Sequence, residues 1–129
     1  MIVVDTSVWV AAFRSAAGAA AHALRALLDS DEVALAAPVR IELLVGAGRT
    51  DRARLRRVLS ALPLLVPARS TWHLIDTWID RAGDAGERFG FADLLIGALA
   101  SERNAEIWSL DTDFERMERL SLLKLHRPS

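Results

Sequence analysis

Acidic residues at four places in the chain lie in local sequences that do not resemble a solvated helix face. They are Asp5, Glu42, Asp93 and the pair Asp111 and Asp113. Asp5 directly follows the apolar run 2–4, and Asp111 follows the run 107–110, which are both typical of short buried strands. Because open α/β sheets bind ligands at the carboxyl ends of their strands, we expect both carboxylates at one edge of a sheet.

Glu42 and Asp93 occur in helical stretches. The run 91–100 is apolar almost all round, which is typical of a buried helix, and Asp93 lies in its first turn, where the helix dipole favours an anion. The neighbours of Glu42 at positions 39, 45 and 46 are also suited to packing, so we expect its carboxylate to be desolvated. Carboxylates gathered from four elements would repel one another unless a cation lay between them.

The cation that these residues favour is Mg²⁺ or Mn²⁺, because hard divalent ions take oxygen ligands and leave room for water and phosphate. Zinc is not favoured, since the chain has no cysteine and its three histidines show no ligand spacing. Asp76, Asp80 and Asp84 also recur at helical spacing. They share the polar side of an amphipathic helix, so we exclude them as a site.

Simpler roles compete for some of the acidic residues. Asp5 could N-cap the helix that follows it, Asp113 could cap a helix beginning at residue 114, and Glu42 could pair with Arg40. Capping leaves Asp111 without a role. Because solvation or capping does not account for the whole set, we favour an acidic pocket.

Strands that alternate with helices are expected to position these carboxylates in a parallel sheet covered on both faces. Strands are predicted over 2–4, 33–36, 64–66, 107–110 and 122–125. Helices are predicted over 6–13, 18–28, 38 to 46 or 48, 50–62, 70–83, 91–104 and 114–120. Thr50 or Asp51 is expected to cap one of these helices and Ser70 another.

The composition bounds the class of protein. A chain of 129 residues with 52% apolar residues is expected to form one domain, residues 1–129. No apolar run is long enough for a membrane span, no signal peptide is evident and cysteine is absent, so we expect a cytoplasmic protein. The net charge of −1 gives no overall field to attract nucleic acid.

With these acidic residues the chain resembles a PIN-domain ribonuclease of the VapC type, the toxin of a bacterial type II toxin–antitoxin pair. The matching segments are residues 4–7, Glu42, residues 91–96 and residues 109–114, whose order spans the whole chain. Each motif is weak alone, and the four in order are fairly specific. Ser109 departs from the threonine that such proteins commonly carry there, but it keeps the hydroxyl.

The resemblance implies a PIN-like three-layer sandwich, an α/β fold whose mostly parallel sheet has four to five short strands. It implies a Mg²⁺-dependent endoribonuclease that uses Asp5, Glu42, Asp93 and Asp111, with Asp113 as an auxiliary metal ligand. Asp5 and Asp93 would hold the metal most directly, and hydroxyls would support the ligating carboxylates. These hydroxyls belong to Thr6, Ser7 and Ser109. A VapB-like antitoxin, an RNA substrate, a homodimer and a larger toxin–antitoxin assembly are the implied partners.

Two surfaces are candidates for those partners. Arginines crowd one predicted helix with its core side at positions 55, 58, 59 and 62, and they could contact the RNA backbone or form an ordinary solvated face. They are Arg49, Arg52, Arg54, Arg56 and Arg57. Most of Trp9, Phe13, Trp72 and Trp78 should be core, and one or two of them exposed at a groove would suit an antitoxin helix.

Two rival functions are compatible with the same residues. One is a non-catalytic PIN-like module for dimerisation or partner binding. The other is phosphoaspartyl chemistry, in which the aspartates after the strands resemble those of a phosphatase or a receiver domain. That chemistry needs a lysine near the phosphate, and Lys124 is the sole lysine in the chain.

Overall fold

The computed structural model describes residues 1–128, in which each of four strands is followed by one or two of seven helices. The strands are β1 (Ile2–Val4), β2 (Val33–Ala36), β3 (Leu64–Leu65) and β4 (Glu106–Trp108). The helices are α1 (Thr6–Arg14), α2 (Ala19–Asp29), α3 (Ala37–Gly46), α4 (Arg49–Ser60), α5 (Arg69–Asp84), α6 (Phe91–Glu102) and α7 (Asp113–Arg119). The α/β sandwich predicted from the sequence is confirmed, and its sheet has four strands.

The sheet is parallel throughout and has the strand order β3-β2-β1-β4. The chain moves outward from β1 to β2 and β3, and it then crosses back to place β4 on the other side of β1. The order therefore reverses between β1 and β4, and the crevice beyond such a switch point is where sheets of this kind bind ligands. Asp5 follows β1 and Ser109 follows β4, so both lie at this crevice.

The start of α5 is fixed by Thr71, which corrects the expectation that Ser70 is the cap. The N-cap residue is Ala68, and its backbone N–H donates to Thr71 Oγ1 at 3.0 Å. Thr71 is fully buried, and its hydroxyl donates to the carboxylate of Glu102 at the end of α6. Burial favours a hydroxyl that satisfies both groups, whereas Ser70 contacts only Glu102.

Other boundaries also differ from those predicted. The N-cap of α4 is Gly48, whose carbonyl accepts the first backbone bonds, so Thr50 and Asp51 lie inside the first turn. Helix α7 begins at Asp113 after the N-cap Thr112. The fifth strand predicted over 122–125 is reduced to a single bridge between Leu125 and Ile107.

Helix α6 runs through the core and carries the half-buried Asp93 in its first turn. Every residue from Leu94 to Ala100 is buried, as the apolar sequence predicts. Gly97 lets α6 approach its neighbours, because a Cβ there would lie 3.0 Å from the side chains of Leu123 and Trp78. Within residues 1–128, no helix combines the length and the hydropathy that a membrane span requires.

Candidate metal centre at the sheet edge

Asp5 is a buried carboxylate held by two serine hydroxyls. It is 7% exposed, and its Oδ2 accepts hydrogen bonds from Ser7 Oγ at 2.8 Å and Ser109 Oγ at 2.7 Å. Each serine oxygen in turn accepts a backbone N–H, from Leu110 and Asp111 respectively. Because both serines bind Oδ2, Oδ1 is left for another ligand.

The N-cap position of α1 is also Asp5, so the two interpretations of this residue are compatible. Its backbone carbonyl accepts the N–H of Val8 at 3.1 Å, while its side chain makes no capping bond. The carboxylate therefore points to the serines and not to the first turn of its helix. The side chain is available for chemistry because the backbone alone starts the helix.

Asp93, Asp111 and Asp113 form a three-carboxylate cluster. Each can offer one oxygen such that the three oxygens lie within 4.8 Å of one another. The turn after β4 is held by Asp111 itself, whose Oδ1 accepts the backbone N–H of Asp113 at 2.9 Å. The structure thus brings together three of the carboxylates singled out in the sequence, with both members of the 111/113 pair included.

The pKa of Asp93 is raised from 3.8 to about 7, and burial is the largest cause. The charge of Asp111 raises it next, followed by a hydrogen bond with Asp113 and the charges of Asp113 and Asp5. The charge of Asp5 thus contributes least to the repulsion of Asp93, and binding of a cation among these carboxylates would relieve that repulsion.

Arg116 and Glu87 are parts of this site that the sequence reasoning missed. Arg116 donates to Asp113 Oδ1 at 2.7 Å and forms an ion pair with Glu87. Its hydrogen bond is the main reason that the pKa of Asp113 is lowered. The i, i+3 spacing of Asp113 and Arg116 was a signal for this pair, whereas the contact with Glu87 depends on tertiary structure.

Glu42 does not join the three-carboxylate cluster, and the expectation that it is desolvated is wrong. Glu42 is exposed, because the outer side of α3 lies on the surface, where Ile41 is 60% and Val45 is 77% exposed. Its Oε1 accepts a hydrogen bond from Thr6 Oγ1 at 3.2 Å. Since Thr6 is next to Asp5, this bond places Glu42 at the rim of the same crevice.

Helix α4, which carries the clustered arginines, was expected to project all of them outward, and it does so only in part. Arg52 does not project outward, because its guanidinium donates to the backbone carbonyls of Leu44 and Ala47 and so caps the end of α3. Arg49, Arg56 and Arg57 are exposed, and Arg54 forms an exposed pair with Asp51. On the predicted core side only Leu59 is buried, whereas Val58 is 50% exposed.

A groove with a volume of about 630 Å³ runs between α1, α3 and α4. Its apolar lining includes Phe13, which is 58% exposed, and its rim carries Arg14, Arg54, Glu42 and Asp51. Trp9 and Trp78 are buried while Trp72 is 44% exposed. The expectation that most of these aromatic residues are core is therefore wrong, since two of the four are exposed, whereas one of them, Phe13, does line a groove as expected.

The donor set of the crevice fits a hard divalent cation. Its clustered groups are carboxylate oxygens, and such oxygens are the ligands that Mg²⁺ and Mn²⁺ prefer. A phosphoaspartyl site would need Lys124 near the aspartates. Lys124 instead lines a different cavity together with Asn104. Asn104 precedes β4, whereas Asp111 follows that strand. The clustered oxygens are therefore suited to a metal ion, and the position of Lys124 gives no support to phosphoaspartyl chemistry.

Comparison with known proteins agrees with this geometry. The PIN domain model matches residues 2–120. The chain is 34% identical to a VapC ribonuclease of Mycobacterium bovis and also to ribonuclease VapC11 of Mycobacterium tuberculosis, in each case over 96% of both chains.

A solved structure shares the fold at lower sequence identity. It is VapBC2 from Rickettsia felis bound to a promoter DNA fragment, with a TM-score of 0.80, 21% identity and coverage of 98% of both chains. The family model and the two VapC relatives together cover nearly the whole chain. The chain therefore belongs to the PIN-domain family, within its VapC group.

Proposed function

We propose that this protein is a Mg²⁺-dependent endoribonuclease and the toxin of a type II toxin–antitoxin pair. The observation that carries the proposal is the cluster of Asp93, Asp111 and Asp113 beside the buried Asp5, at the switch point of the sheet. The relatives named VapC ribonuclease supply the substrate class, which is RNA.

In this proposal Asp5 and Asp93 hold Mg²⁺ or Mn²⁺ most directly, and Asp111 and Asp113 complete the site. The free Oδ1 of Asp5 and the mutual repulsion around Asp93 support this assignment. Glu42 is assigned to the rim, where it orients the attacking water or contributes to a second metal position. When bound, the cation activates water and stabilises charge on the phosphorus-centred transition state.

The hydroxyls beside the site have supporting roles in the proposal. Ser7 and Ser109 donate to the same oxygen of Asp5, which fixes the plane of its carboxylate, and Thr6 holds Glu42. Partners of this kind commonly change metal affinity or activity by about 10- to 100-fold. The hydrogen bonds of these hydroxyls with Asp5 and Glu42 support this assignment.

We assign the groove between α1, α3 and α4 to the antitoxin. Its apolar floor with Phe13 suits the apolar side of an amphipathic helix, and rim charges of both signs can fix the orientation of that helix. A homodimer and a larger toxin–antitoxin assembly stay part of the proposal. The exposed Arg49, Arg54, Arg56 and Arg57 are assigned to the RNA backbone.

The test is RNA cleavage by the purified protein in Mg²⁺, together with sequencing of RNA ends after induction in cells. Asp5→Asn and Asp93→Asn should each lower cleavage by more than the ~10- to 100-fold that loss of an outer hydrogen-bond partner costs. Asp76→Asn is the matched control, because it makes the same chemical change at an exposed carboxylate on α5. Wild-type protein that binds its partner but neither binds Mn²⁺ nor cleaves RNA would indicate a non-catalytic module instead.

A further inference from the structure

Arg116 contacts three groups on two segments of the chain. One guanidinium nitrogen pairs with Glu87, another donates to Asp113 Oδ1 at 2.7 Å, and Cζ lies 4.8 Å from the ring centroid of Phe89. The guanidinium is planar and offers several donors in a fixed fork, so contacts with two carboxylates and a ring restrict its position strongly.

These contacts join the two segments that carry clustered carboxylates. Glu87 and Phe89 precede α6, which carries Asp93, while Asp113 opens α7. Phe89 is buried, so the contact of Arg116 with its ring is anchored in the core. The guanidinium thus connects the loop before Asp93 to the turn that holds Asp113.

Asp113 needs such a connection. It is only partly buried, and once Asp93 loses the proton of their shared hydrogen bond, the ionised carboxylates of Asp93 and Asp111 both repel it. Without a counter-ion, repulsion would favour a rotamer that carries the carboxylate away from the cluster. Arg116 binds one carboxylate oxygen and so determines where the other oxygen lies.

We propose that Arg116 is a positioning residue of the metal centre, which holds Asp113 so that its carboxylate stays directed at Asp93 and Asp111. The inference rests on the proposed metal-dependent function. It differs from two simpler roles, in which Arg116 acts only through its positive charge or only by stabilising the fold.

The experiment is calorimetric titration of the full chain with Mn²⁺, comparing wild type with Arg116→Lys and Arg116→Met. Lysine keeps the charge but loses the fork, and methionine keeps apolar contact with Phe89 but loses the charge. We expect both variants to raise the Mn²⁺ dissociation constant on the order of 10- to 100-fold. Arg127→Met is the matched control, because it removes an ion pair with Glu118 of the same 2.7 Å length, and it should leave the constant unchanged.

The other outcomes overturn the proposal. Tighter Mn²⁺ binding by Arg116→Met with unchanged binding by Arg116→Lys would mean that only the charge matters. Lower thermal stability with unchanged dissociation constants would mean a structural role.

A third variant keeps the proposal testable if neither variant folds. Glu87→Ala removes the ion pair that holds Arg116 and should weaken Mn²⁺ binding as well, and unchanged binding would refute positioning. Wild type without Mn²⁺ binding would refute the proposed function too, whereas normal binding by all variants refutes only the role of Arg116.

Discussion

Replacing Asp93 by asparagine should stabilise the metal-free protein at alkaline pH. The folded pocket raises the pKa of Asp93 from 3.8 to about 7, mainly because burial disfavours its charged form. Each pKa unit corresponds to about 1.4 kcal/mol, so the penalty for ionising Asp93 in the folded state is at most about 4 kcal/mol. Asparagine keeps the shape of the side chain without this penalty.

The sign of the effect follows from where the proton is bound. Below about pH 3.8 Asp93 is protonated in both the folded and the unfolded chain, so its contribution is constant. Between pH 3.8 and about 7 the unfolded chain releases the proton that the folded chain keeps, and the free energy of unfolding falls as pH rises. Above about pH 7 the penalty is complete.

Urea unfolding in EDTA from pH 4 to 9, followed by tryptophan fluorescence, measures this difference. Trp9, Trp78 and Trp108 are buried and should report loss of the core. We expect Asp93→Asn to match wild type near pH 4 and to exceed it at pH 8, with the order reversed in saturating Mn²⁺. A variant less stable than wild type at pH 8 in EDTA, or a difference independent of pH, would refute the reasoning.

Two further predictions test packing and partner binding. Gly97→Ala should destabilise the fold by about 1–3 kcal/mol, because its Cβ would lie 3.0 Å from Leu123 and Trp78. Thermal unfolding measures this loss. Gly83→Ala on α5 is the control, since its Cβ would meet nothing within 4 Å. Phe13→Ala should weaken binding of the cognate antitoxin about tenfold or more in a calorimetric titration. Val66→Ala, which changes an exposed apolar residue outside the groove, should leave that affinity unaltered, and equal losses in both variants would argue against the groove.

The fold was predictable because its signals are local. Short apolar segments of the sequence predict the strands between the helices, and the apolar segment around Asp93 predicts the central helix α6. Cap positions were less predictable, since Thr71 defines the start of α5 through a contact with Glu102 that is distant in sequence. The strand predicted at 122–125 failed because its apolar residues pack into the core while only Leu125 bridges to β4.

The acids of the candidate site and the hydroxyls that contact them were predictable, whereas the ion pair of Arg116 with Glu87 was not. Asp5, Asp93, Asp111 and Asp113 stood out as carboxylates without a solvated face, and the structure places them at one crevice. The exposure of Glu42 was not foreseen, because helical periodicity does not say whether a neighbouring element covers a given side. The ion pair between Arg116 and Glu87 joins residues 29 positions apart, and sequence spacing cannot reveal such a contact.

The central place of β1 in the sheet determines when the acidic crevice can form during synthesis of the chain. β1 pairs with β2 on one side and β4 on the other, and Asp5 is held by Ser109, which lies 104 residues later. A growing chain on the ribosome therefore exposes Asp5 early but lacks Ser109, Asp111 and Asp113 until they too have been synthesised. The acidic crevice cannot be assembled before that point, so a product truncated between β1 and β4 would not contain it.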